Sequence, residues 1–367
     1  MNHSATKIQI NSEIGTLRKV LLHSPGAEVE NMTPKNAQRA LYSDILNLSI
    51  AQNEYRQLSG VLSKVAEVVY VKDLLIKVLD NILERQSLIG KICISEGVTN
   101  YFDMLMQMPS AELARVLIEG LPSRMDTLTA FLNEDHYALF PLYNFYFTRD
   151  ASVTIGNHAL ICRMANKVRM RESLIMEAIY KGSGEFQCGI INAHNFQPGN
   201  KDIYMEGGDI LIAREDILLI GNGVRTSTQG IDMLVSQLCH IAPQGQKHII
   251  VQQLPSTPES FIHLDMVFTL LDHDKCMVFE PLILRDNQYQ TVHITIDNGK
   301  VSRISHAHNL PRVLKSLGMD LEPVICGGRD DEWNQEREQW HSGANFFAFA
   351  PGKVLSYARN TNTLNEL

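Results

Sequence analysis

Apolar positions along the chain change period more than once. In EIGTLRKVLLHSP (13–25) they gather into a short run closed by Ser24-Pro25-Gly26, which predicts a strand and a turn. Leu48, Ala51, Tyr55, Leu58, Leu62 and Val65 then recur at three- and four-residue steps, the pattern of an amphipathic helix. VVYV at 68–71 predicts a buried strand. From Lys72 to Glu134 strand signals nearly vanish and helical spacing takes over, in KDLLIKVLDNILERQ, SAELARVLIEGL and MDTLTAFLNE. This predicts a helical insertion over 72–134 within an α/β domain formed by 1–71 and 135–367.

Short β-rich runs return from Tyr143 onward, and they repeat. Asp150 placed over Glu206 aligns RDASVTIGNHALICRMANKVR with MEGGDILIAREDILLIGNGVR: acid, strand, turn, strand, then an arginine. Arg169 and Arg225 each follow their acid by 19 positions. A third run, FIHLDMVFTLLDHDKCMVF (261–279), has the same strand, turn, strand form, and Asp150, Glu206 and His263 are spaced 56 and 57 residues apart. Strand alternation here predicts His263 and Asp265 on one face. FFAFAPGKVLSYARN (346–360) predicts another hairpin around Pro351-Gly352. A long period built of hairpin plus helix predicts modules arranged around a centre, propeller-fashion, with the start of each first strand pointing inward.

Composition narrows the class. With 367 residues, 44% of them hydrophobic, the chain buries a large core. A net charge of -8 and a pI near 5.9 exclude the basic face that nucleic-acid binding requires. No apolar run approaches a membrane span, and MNHSATKIQINSEIG lacks a signal-peptide pattern, so the expected location is cytoplasmic. The six cysteines (93, 162, 188, 239, 276 and 326) show no metal-ligand spacing and are expected to be reduced structural thiols. No metal and no cofactor are expected.

Carboxylates around a pocket suit a planar guanidinium, whose donors form a fork that carboxylates accept in pairs. Two arginines at matched positions suit a carboxylate at the other end of the same ligand. Arginine carries both groups. Each feature also has a plain structural alternative: a strand salt bridge for an Asp-Arg pair, a turn for Gly-Gly after an acid, a satisfied core histidine for His263. Recurrence in register favours the functional reading.

NSEIGTLRKVLLHSPG, NFYFTRD, EGGDILI, IGNGVRT, HLDMVFT and REQWHSGANFFAFAPG together resemble arginine deiminase, of the guanidino-group-modifying superfamily. The resemblance runs from about residue 9 to the last residue. It implies a pentein-like fold of five ββαβ modules in a pseudo-fivefold propeller, and hydrolysis of L-arginine to L-citrulline and ammonia. It implies that Asp150 and Asp265 grip the guanidinium nitrogens, that His263 is the general acid and base, and that Glu206 orients His263 and keeps it charged. Arg169 and Arg225 match the arginines that hold the substrate carboxylate; Asn144 and Phe147 match residues at the substrate's amino-acid end. L-arginine is the expected partner, with neither nucleic acid nor membrane, in a homo-oligomer.

The family reaction also needs a cysteine thiolate, which attacks the guanidinium carbon to form a covalent thiouronium. In the family that cysteine lies beyond the segment matching RNTNT, Arg359 to Thr363. None of the six cysteines matches it, so the expectation is that the nucleophile-bearing segment is absent from this sequence and that the chain by itself is inactive. Cys326, before Gly327-Gly328, is the substitute within the chain. Two alternatives stay open: a catalytically inactive arginine-binding pseudoenzyme, and an amidinotransferase of the same superfamily.

Overall fold

The computed structural model describes residues 5–34, 36–132, 136–195, 202–241 and 244–367. The chain divides into two compact units, one of Met1–Ile8, Arg18–Ser152 and Asn166–Ile190, the other of Gln9–Leu17, Val153–Ala165 and Ile191–Leu367. The expected boundary at 134/135 falls outside the described residues. No helix among the described residues is long and apolar enough to cross a membrane.

In the first unit a parallel pair, Lys19–Leu22 with Glu67–Tyr70, flanks the helix Leu48–Val65. Asn47 caps that helix, its side chain accepting the Ile50 N–H at 3.2 Å. The strand over 13–25 is shorter than the apolar run suggested, and Val71 opens a helix instead of closing a strand, because the chain turns at Tyr70. The predicted helical periodicity is realised in Val71–Asp80, Ile82–Glu96, Phe102–Gln107 and Ser110–Glu119. Their apolar stripes, including Leu75, Val78, Ile89, Ile92, Leu105 and Leu117, are fully buried. Gly97, at φ 73°, ends the second of these helices in the left-handed conformation that glycine adopts without steric cost.

The second unit holds most of the sheet. Its largest sheet has five strands, ordered Ile210–Arg214, Ile217–Asn222, Gln246–Gln253, Thr291–Asp297 and Lys300–Ala307. The second and third pair in parallel, joined through the helix Thr228–Ile241, and the other neighbours are antiparallel. Phe268–Leu270, Lys275–Val278 and Glu322–Ile325 form a three-stranded sheet, and Phe347–Ala350 with Lys353–Leu355 form the predicted last hairpin. Leu211, Leu219, Ile250, Leu264, Phe268, Val278 and Leu314 share one buried core. The protein is mixed α/β, and among the described residues every sheet is open, none closing on itself.

One expected strand is not a strand at its start. Phe261 to Met266 runs through two 3-10 turns, Glu259–Phe261 and Leu264–Met266, and the strand begins at Phe268. The turn is held by backbone bonds from Met266 N–H to His263 and from Val267 N–H to Leu264. His263 itself is extended, at φ -138° and ψ 158°. Its direction is therefore set by a turn and not by strand alternation.

Candidate active site

In the first unit Asp150 lies in the single-turn helix Thr148–Ala151, immediately before the strand Ser152–Ile155. Arg169 lies in the 3-10 turn that leads into the helix Met170–Gly182. The two side chains meet: Arg169 Nη1 is 2.8 Å from Asp150 Oδ2, and both are buried. The rest of the fork is occupied. Nε and Nη2 donate to the Glu172 carboxylate at 3.1 and 2.8 Å, and Nη2 also reaches the Asn144 carbonyl at 3.3 Å. Asn144 is in turn fixed by its amide donating to the Ala40 carbonyl at 2.8 Å. Arg169 thus orients Asp150, and Glu172 balances the second half of the guanidinium charge. Phe147, two residues before the short helix's arginine, is 43% exposed and free of the core.

Glu172 was not among the residues singled out from the sequence. Its signal was its place three residues after Arg169, which in a helix's first turn puts the two side chains on one face.

In the second unit Glu206 precedes the 3-10 turn Gly207–Asp209, which feeds the strand Ile210–Arg214. Its carboxylate is fully buried and lies 3.0 Å from His263 Nε2. A carboxylate only accepts, so that ring nitrogen carries the proton. The other Glu206 oxygen accepts the Ala165 N–H at 3.2 Å and lies 3.5 Å from Arg225 Nη1. Arg225 Nη1 has no hydrogen-bond partner among the described residues although it is buried. A buried unpaired guanidinium donor is costly unless an anion completes it. Asp265 is half-buried, and its backbone carbonyl accepts from the Asn345 amide at 3.1 Å.

The structure therefore brings together Asp150, Arg169 and Asn144 in one unit, and Glu206, His263 and Arg225 in the other. The Glu206–His263 contact is the arrangement of a histidine whose tautomer and direction a buried acid sets. It suits proton transfer to and from a bound ligand.

Three of the buried cysteines offer no activated thiol. Burial pushes Cys276 and Cys326 up to about 12, and Cys93 is raised as well. Cys326 Sγ lies in the core, 3.7 Å from the Thr363 hydroxyl, which donates to Glu338 at 2.6 Å. Reactive cysteines have lowered values and electropositive surroundings, the opposite of this site. Cys326 is a packing residue.

A family model described as arginine deiminase matches residues 38–367. The chain belongs to the arginine deiminase family. Arginine deiminases of Bacillus cytotoxicus and Staphylococcus haemolyticus are 34% and 32% identical to it, each over 96% of this chain and 89% of the relative. Among solved structures, an amidinotransferase of saxitoxin biosynthesis from Microseira wollei aligns over 98% of this chain and 88% of its own, at TM-score 0.49 and 14% identity. The DDAH of Pseudomonas aeruginosa with bound citrulline aligns over 88% and 96%, at TM-score 0.42 and 13% identity.

Proposed function

We propose that this family member recognises L-arginine and supplies the acid-base apparatus for its hydrolysis to L-citrulline and ammonia. The observation that carries the reading is the buried Glu206–His263 pair with the under-bonded Arg225 guanidinium against the same glutamate. Asp150 and Asp265 accept the substrate guanidinium, Arg225 and Arg169 serve its carboxylate, and Asn144 and Phe147 border its amino-acid end. Arg169 does this while held by Asp150 and Glu172, so its first task is to fix Asp150.

In the reaction a cysteine thiolate adds to the guanidinium carbon, and His263 donates the proton with which ammonia leaves. Water then adds to the thiouronium, His263 taking its proton, and the carbon-sulfur bond breaks to give citrulline and the thiolate. Burial pushes Cys276 and Cys326 up to about 12, which does not fit either of them as that thiolate. The five-module ββαβ arrangement, with 72–134 as a helical insertion, belongs to the same proposal. It is supported by the order strand, strand, helix, strand in 210–253.

A second reading is favoured by those same buried thiols: an arginine-binding protein without turnover. Citrulline assay separates the two. In a form that releases citrulline, His263→Ala is expected to cut turnover by about 100-fold or more, and Asp265→Asn to weaken arginine binding as well. Near-normal turnover in His263→Ala contradicts the assigned mechanism. Release of ornithine with amidination of an added acceptor amine, in place of citrulline, would favour amidino transfer over hydrolysis.

A further inference from the structure

The EGGD segment ends in a second acid that the proposed chemistry does not use. Asp209 is fully buried. Its Oδ1 accepts the backbone N–H of Leu264 at 2.9 Å, while its Oδ2 has no hydrogen-bond partner among the described residues. Leu264 is the residue between His263 and Asp265. One carboxylate therefore ties the turn that carries Glu206 to the turn that carries His263.

Three further observations make this contact a built one. The Gly207–Asp209 turn is closed on Glu206 itself, the Asp209 N–H donating to the Glu206 carbonyl at 3.2 Å, so the two acids move as one piece. The Leu264–Met266 turn is closed on His263 in the same way, at 3.2 Å from Met266 N–H to the His263 carbonyl. On the adjoining strand Gly221 leaves room for the carboxylate, because a Cβ there would overlap Asp209 Oδ1 and press on Leu254 Cδ1.

We propose that Asp209 is a positioning residue, which through the Leu264 N–H fixes the distance between the His263 and Glu206 turns and the direction in which Asp265 points. The proposal rests on the reading of His263 and Glu206 as the acid-base pair. The chemistry of the residue fits the task. Asp is short enough that its carboxyl can move only with the turn, and Oδ1 accepts from Leu264 whether the group is ionised or not. The charged groups facing it are His263 and Glu206, with Arg225 beyond Glu206. Burial, against the pull of the His263 charge and the hydrogen bonds from the Thr226 hydroxyl and the Leu264 amide, pushes Asp209 up to about 7. A neutral or shared-proton acid there spares the pocket a second full negative charge beside Glu206.

A merely structural acid would affect melting alone, so the test reads His263 directly. Imidazole resonances are recorded by nitrogen-edited NMR at a temperature where each variant is folded, and His263 is assigned by its disappearance in His263→Ala. Arginine affinity is measured on the same samples. In Asp209→Ala, and in Gly221→Ala, which pushes the carboxylate off Leu264, the His263 signal and its pH titration should move and arginine should bind about 10-fold more weakly. Asp209→Asn keeps the acceptor and should restore His263 and bring arginine affinity to within about 3-fold of the parent. If Asp209→Ala does not fold, Gly221→Ala carries the comparison. An unmoved His263 titration with unchanged affinity in folded Asp209→Ala or Gly221→Ala overturns the proposal. Failure of the acid-base reading shows separately: His263→Ala would then leave turnover intact while the His263 signal still answered to Asp209.

Discussion

Cys326 and Cys276 are thiols at neutral pH, because burial pushes both up to about 12 and no cation among the described residues offsets it. The folded protein should therefore resist alkylation by iodoacetamide at these two positions at pH 8, and both should label once it is unfolded, as read by peptide mass spectrometry. Rapid labelling of folded Cys326 would return it to candidacy as a nucleophile. Asp209 gives a sign that can be checked as well. Its folded value, about 7, exceeds its ordinary 3.8, so the folded protein keeps a proton that the unfolded chain gives up. The stability this group contributes is whole below its ordinary value and is lost as pH rises to the folded one. Asp209→Asn should thus gain on the parent by about 2–3 kcal/mol in unfolding free energy between pH 5 and pH 8. A difference that stays constant across that range would show that Asp209 is ionised throughout. Asp150, Glu206, His263 and both arginines could be picked out from sequence because each sits at a registered place in a repeat. Asp209 and Glu172 hold no such registered place. The first reads as part of a Gly-Gly turn, and the second as an ordinary acid in a helix's first turn, where the helix dipole favours one.

Among the elements, the long helices were the most legible, since a 3.6-residue stripe sustained over ten or more residues has few alternatives. The His263 segment was not. HLDMVF alternates over too few residues to separate a strand from two tight turns, and the backbone bonds that close those turns leave no side-chain signature. The helical hairpins of the first unit depend on a residue that periodicity also misses. Arg85 donates from Nε to the Leu79 carbonyl at 2.7 Å, from Nη1 to the Met106 and Met108 carbonyls at 3.1 and 3.0 Å, and from Nη2 to Ser110 Oγ at 2.6 Å. It satisfies the ends of three helices at once. Arg85→Met keeps much of the stem packing and removes the donors, and should cost about 2–3 kcal/mol of stability in denaturant unfolding. A loss below about 0.5 kcal/mol would mean that water replaces the guanidinium without penalty.

At the scale of the whole chain, the repeat of acid, hairpin and arginine is what linked sequence to chemistry, and the family match over residues 38–367 agrees with it. What the repeat could not supply is the partition into two compact units, because the chain passes between them several times and no composition shift marks the crossings. An acidic protein of net charge -8 has no general attraction for an anion. Any preference for a ligand carboxylate must therefore come from specific groups such as Arg225 and Arg169. The most direct measurement is calorimetric titration with L-arginine and with agmatine, which keeps the guanidinium and lacks the carboxylate. Arginine should bind at least about 100-fold more tightly, since agmatine would leave a buried guanidinium donor unpaired. Equal affinity for the two ligands, or no heat with either, would contradict the account.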